Sequence, residues 1–175
     1  WNTTFPLTMP ANDVTIQAIY SVLKYTITFD TNGGSSINPL LSQEGQTIFE
    51  PIAPTKTGYV FDGWYADEAF ITAFVFLTTP PRDITIFAKW IPDIYVVEYQ
   101  DFNGDVLQTV SYNYGADLSG VTAPAEPTRT GYTFAGWDST VPATMPASNI
   151  TITATYTINT YTLEYVGWDG AVLQT

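Results

Sequence analysis

Three acidic side chains stand close together in the chain, Asp62, Asp67 and Glu68. Paired carboxyls are the usual machinery of glycoside hydrolysis, which needs them about 5–9.5 Å apart across a cleft. The chain carries its own counter-argument. The phrase GYVFDGW at 58–64 returns as GYTFAGW at 131–137, where Asp62 becomes Ala135 and nothing matches Asp67 or Glu68. A hydrolytic role common to both copies is excluded, and the three carboxylates read as solvated loop residues. A second acidic pattern resembles the start of a calcium loop: Asp30-Thr-Asn32-Gly and Asp101-Phe-Asn103-Gly-Asp105. An EF-hand loop ends on a bidentate Glu at its twelfth position, and here those positions hold Leu41 and Tyr112. Asp and Asn favour turns for backbone reasons alone, so no metal and no other cofactor is expected.

There is no Cys and no His. Thiolate nucleophiles, imidazole bases, disulfides and the usual zinc sites are therefore unavailable. The only lysines are Lys24, Lys56 and Lys89. They read as a linker, a loop and an outward strand position, which argues against a buried Lys–Asn crosslink. No catalytic residue is assigned, and the chain is not expected to be an enzyme. A net charge of −12 with only five Lys or Arg offers no basic stripe for phosphates, and anionic membranes repel it. Nucleic acid and direct membrane insertion are excluded as expectations. The sequence shows no signal peptide, apolar span or lipidation motif. It opens on Trp1, as expected of a piece of something longer.

The repeated phrase is better read as structure. Tyr59, Phe61, Gly63 and Trp64, with Tyr132, Phe134, Gly136 and Trp137, form the candidate core motif. Each aromatic buries roughly 150–250 Å2, a large share of a small core. Gly58 and Gly131 suit the turn into the strand, and Gly63 and Gly136 are expected to admit a ring or backbone at close range. The competing reading is a sugar platform, which requires both tryptophans to be open in a shared groove. In the recurring Thr-Met-Pro-Ala phrase, Met9 and Met145 are expected to plug core gaps.

The elements that must position these residues follow from internal repetition. Trp1–Phe29 aligns without a gap on Trp137–Tyr165, sharing TMPA, then Asp or Asn, then a β-branched residue, Thr and Ile. YVVEYQDFNGDVLQT at 95–109 matches YTLEYVGWDGAVLQT at 161–175. The period yields complete repeats at 25–90 and 95–156, the C-terminal part of a repeat at 1–20, and the N-terminal part of another at 161–175. The joints SVLK, IPDI and TINT are short and lack Gly, so they predict stiff connections.

Each unit opens on a strand that alternates by two, as in Tyr25, Ile27 and Phe29. A turn follows, in which Asn-Gly or Asp-Gly signals a type I′ hairpin with φ > 0 at both central residues. Next come a return strand at 106–112, a short helix or coil at 117–121, the GYxFxGW strand, and a closing strand such as Ile84, Ile86, Ala88 and Trp90.

The combination YTITFDTNGG, PTKTGYVFDGWY and ITIFAKW resembles the Listeria–Bacteroides, or internalin-type B, repeat. The likeness covers essentially the whole chain. It implies α+β, mostly β architecture: tandem small β-grasp-like (ubiquitin-like) domains in an elongated array. It also implies a setting in large bacterial surface or secreted proteins, where such units serve as stalks and carry no catalytic residues. The second complete unit departs from the pattern, with Asp138 after Trp137 and an Ala-Thr-Tyr ending.

The expected role is a structural spacer of an extracellular adhesin-like protein, its partners being neighbouring repeats of the same chain. The alternative is a repeat module that binds a host or cell-surface protein or a glycan, with Phe87 on the polar face of its strand as the candidate contact. A third possibility is a filament built by strand addition.

Overall fold

The computed structural model describes residues 8, 11–13, 15 and 17–174. They form two compact units: the described residues up to 56 with 61–90, and 57–60 with 91–174.

The sheet of the first unit contains β1 (Lys24–Asp30), β2 (Leu40–Gln43), β3 (Tyr59–Tyr65) and β4 (Ile84–Pro92), in the order β2-β1-β4-β3. β1 pairs antiparallel with β2 and parallel with β4. Alternation decides what each strand buries. In β1, Ile27 and Phe29 turn inward while Thr28 and Asp30 face out; in β4, Ile86 and Ala88 turn inward. These four join Ile48 and Trp64 in one core. Fully burying an Ile or Phe stabilises by about 1.5–3 kcal/mol, so this small set supplies much of the driving force. β2 is short because Pro39, which lacks an N–H, immediately precedes it.

The second unit repeats the plan with β5 (Ile94–Gln100), β6 (Val106–Asn113), β7 (Tyr132–Trp137) and β8 (Ile150–Ile158), ordered β6-β5-β8-β7. β5 again runs antiparallel to one neighbour and parallel to the closing strand. The core is Val97, Tyr99, Leu118, Met145 and Ile152. β9 (Tyr165–Val166) and β10 (Val172–Gln174) make a separate antiparallel pair.

Several expectations need correction. The described residues contain no helix, so the α+β assignment gives way to an all-β one. The stretch expected to be a short helix or coil, 117–121, takes the second form, a bridge and a turn. Asp117 pairs with Thr144 and accepts the Ser119 N–H at 2.9 Å, while the Val121 N–H donates to the Leu118 carbonyl at 3.0 Å. Leu118 is thereby lowered into the core, and Pro124 follows too soon for a helix.

The Asn-Gly turns also differ. Asn32 and Gly33 both have φ > 0 (47° and 82°), but β2 begins only at Leu40, so this turn does not close a tight hairpin. In the second unit only Gly104 of the turn has φ > 0; its N–H donates to the Asp101 carbonyl at 3.0 Å.

β4 and β8 extend into the expected joints, to Pro92 and Ile158, and Lys24 is the first residue of β1. Of the leading fragment, Trp1, Met9, Pro10, Val14 and Ile16 lie outside the described residues, and Ala18 and Tyr20 are exposed and outside any strand. In the trailing fragment Tyr161 and Leu163 are exposed and precede β9.

Candidate functional site

β3 and β7, which carry the repeated phrase, each close one edge of a sheet. Trp64 is only 3% exposed and receives Phe29 and Phe61 edge-on, with centroids 5.2 and 5.5 Å away. Trp137 is half-buried and meets Tyr99 at 4.8 Å and Phe134 at 5.4 Å. The burial of Trp64 removes it from any ligand surface. Tyr132, Phe134 and Tyr59 are half-buried. Tyr59 lies edge-on to Tyr114, centroids 5.4 Å apart.

Gly63 and Gly136 have φ of 105° and 120°, and the β7–β8 register shifts between Phe134 and Gly136. A Cβ at either glycine would meet nothing within 4 Å. The expectation of close approach is therefore wrong: glycine stands at both places because the backbone takes positive φ there, at Gly136 within a bulge of β7. Close approach occurs elsewhere. A Cβ on Gly34 would lie 2.5 Å from Trp90 Cζ2, and one on Gly58 2.4 Å from the Tyr114 ring.

The residue two places before the GY pair is a cation in both copies: Lys56 and Arg129. Lys56 Nζ donates to the Asn32 carbonyl at 2.8 Å and sits 5.7 Å from the Trp90 ring centroid. Trp90 Nε1 donates to the Thr31 carbonyl at 2.9 Å, and Asn32 Nδ2 to the Ala88 carbonyl at 2.8 Å. This cation is knotted into its own turn.

Arg129 is placed differently. Its Cζ lies 3.8 Å from the Phe102 ring centroid, 3.7 Å from Tyr132 and 5.7 Å from Tyr156. Two rings that close to one carbon cannot share a face, so the guanidinium is sandwiched. The Tyr156 hydroxyl donates to Asp101 Oδ1 at 2.6 Å. Burial, reinforced by this bond to a carboxylate, pushes Tyr156 up to about 12. Beside Arg129 runs a groove of about 400 Å3, lined also by Glu126, Thr128, Thr130, Tyr132 and Phe134.

The acidic residues are engaged in structure. Asp62 pairs with Lys89 at 2.7 Å. Asp67 accepts the N–H groups of Ile71 and Thr72 at 3.1 and 2.8 Å; these bonds hold its carboxyl below the usual range, unsuited to a general acid. Glu68 is exposed. Asp30 accepts from the Asn32 N–H, and Asn103 bonds Asp105. Among the described residues no three His, Cys, Asp or Glu cluster as metal ligands. Phe87 is half-buried and in register with Asp30; Phe49, Ile52 and Ile71 are far more exposed.

Sequence reasoning missed Asp83 and Asn149. Their Oδ1 atoms accept the Thr26 and Val96 N–H groups at 2.7 and 3.0 Å. Each ties the start of the opening strand to the residue before the closing strand. The recurring Asp or Asn before that strand was the signal.

Comparison with known proteins fits this twofold plan. The family described as the Listeria-Bacteroides repeat domain matches residues 25–89 and 95–160. Internalin H of Listeria monocytogenes is 37% identical over 147 residues, 77% of this chain and 25% of that protein. A candidate membrane protein of Evansella cellulosilytica is 33% identical over 166 residues, 90% of this chain and 24% of its own length. The chain thus spans about a quarter of these relatives.

Proposed function

This chain belongs to the Listeria–Bacteroides repeat family, and from that premise we propose that it is a spacer segment of a bacterial cell-surface or secreted adhesin-like protein, holding distal domains away from the cell. The observation that carries this reading is that one four-stranded plan is built twice while Asp62, Asp67 and Glu68 of the first copy have no counterparts in the second. The repetition serves a shape and assigns the repeats no catalytic step. A central parallel pair in each unit, flanked on both sides by antiparallel strands in the second, supports a β-grasp-like unit with extended chain in place of the helix. A single residue, Asp93, separates β4 from β5, so the repeats follow one another in the chain with almost no linker. The names of the relatives, an internalin and a candidate membrane protein, support an extracellular setting. No helix of the described residues is long and apolar enough to cross a membrane.

The test is to replace 25–156 in the full-length protein with unrelated rigid domains of matched length. Adhesion by the distal domains is expected to survive that exchange and to fall when the segment is simply deleted. Loss of adhesion on exchange for a spacer of equal length overturns the reading.

A further inference from the structure

The Arg129 groove goes beyond the spacer reading and does not depend on it. The guanidinium is fixed between Phe102 and Tyr132, yet among the described residues it donates no hydrogen bond and forms no ion pair. Stacking covers its faces and leaves its edge, where all five N–H donors lie. Such a group is pre-ordered for a planar, two-oxygen acceptor, because little side-chain entropy remains to be lost on binding. Lys56, at the same place in the first unit, has given a donor to the Asn32 carbonyl.

The rest of the groove narrows the ligand. Tyr132 and Phe134 supply ring surface, Thr128 and Thr130 supply hydroxyls, and Glu126 supplies an acceptor. Glu126 and the chain's net charge of −12 repel a polyanion. A ligand with one carboxylate and several hydroxyls fits: the carboxylate meets the Arg129 edge, the hydroxyls meet Glu126 and the threonines, and the C–H face of a sugar lies on the rings. We propose that this groove binds a monocarboxylated sugar, a uronic-acid unit of a glycan.

The test is an NMR titration of the chain with glucuronate, following the Arg129 side-chain Nε–H resonance. A saturable shift is expected with glucuronate and none with glucose, while acetate and inorganic phosphate bind more weakly. Arg129→Gln should weaken glucuronate binding by roughly tenfold or more, the loss of a charge-assisted hydrogen bond. No saturable shift with glucuronate overturns the proposal. So does an equal response to glucose, binding of phosphate as tight as glucuronate, or unchanged affinity in a folded Arg129→Gln variant. The ligand series on the unmodified chain decides even if that variant does not fold.

Discussion

In the first unit Thr79 is 2% exposed, and its hydroxyl donates to the Gln46 carbonyl at 3.3 Å. The corresponding residue of the second unit, Met145, is 1% exposed and fills the core with a thioether. Their backbones do the same work. Thr79 exchanges hydrogen bonds with Gln46 and Gly45, and Met145 with Ala116 and Gly115. The contrast recurs at the turn. Trp90 covers Gly34 and bonds the Thr31 carbonyl, whereas Tyr156 meets Phe102 and bonds the Asp101 carboxylate. The repeat therefore fixes a backbone ladder and the placement of bulky groups, while the polar chemistry at those places is free to change. A site such as the Arg129 groove can then arise in one copy without disturbing the plan.

The largest effect is expected from the two tryptophans. Trp64→Ala should cost about 3–5 kcal/mol, as large-to-small changes in a packed core do. Trp137→Ala should cost less, since Trp137 is already partly open. Urea denaturation read by resonances assigned to each unit measures both, because the units need not unfold together. Equal losses would break the distinction. Trp64→Phe sharpens it. Trp64 Nε1 is buried without a hydrogen-bond partner, and an unsatisfied buried donor costs about 1–3 kcal/mol. Removing that N–H should offset much of the lost area, leaving the Phe variant far more stable than the Ala variant.

Exchanging the buried pair comes next. Met145→Thr should cost about 2–4 kcal/mol, through a cavity and a hydroxyl in an apolar site. Thr79→Met should cost about 1–3 kcal/mol, through overpacking. If either substitution proves neutral in thermal unfolding, the two cores are more alike than their side chains indicate.

The alternation of Ile27 and Phe29, or of Ile86 and Ala88, was readable from sequence because each strand buries one face. The parallel register that sets Phe29 opposite Ile86 was not, since it joins stretches far apart in the chain. Between the helix and the coil left open at 117–121, the coil prevails because so short a stretch cannot repay helix nucleation while Leu118 is buried in the core. Gly63 and Gly136 were recognised as special for the wrong reason: sequence marks a glycine without saying whether space or φ demands it. The Arg129 site was invisible because Phe102, Tyr132 and Tyr156 come from three separate strands and turns.

Alkali should separate the two turns. Folding raises Tyr156 to about 12, so the protonated phenol is favoured in the folded state. Its contribution is complete below the ordinary tyrosine value near 10 and is lost as pH rises from there through about 12. The second unit should lose stability across that window, and Tyr156→Phe should flatten the dependence. Following tyrosinate absorbance alongside unfolding checks this; an unchanged slope in the variant would assign the effect to another group.

The smallest effect belongs to the ion pair found in only one unit. Lys89 Nζ is 2.7 Å from Asp62 Oδ2 and 3.3 Å from the Tyr65 hydroxyl, and both side chains of the ion pair are about one-third exposed. The bond to Asp62, then that to Tyr65, raises the lysine above its ordinary value, so its contribution is complete below that ordinary value and is lost as pH climbs from there through the raised one. In the second unit Ala135 and Thr155 stand at these places, and the Thr155 hydroxyl donates to the Gly136 carbonyl at 2.8 Å. The bulge thus holds without a charge pair. Asp62→Ala with Lys89→Thr should transplant that arrangement and lower the unfolding midpoint only slightly. The remaining difference should shrink further in high salt, because an exposed pair is screened. A loss that is large and salt-independent would mean that the β3 edge depends on its charges, and that the two edges are built on different principles after all.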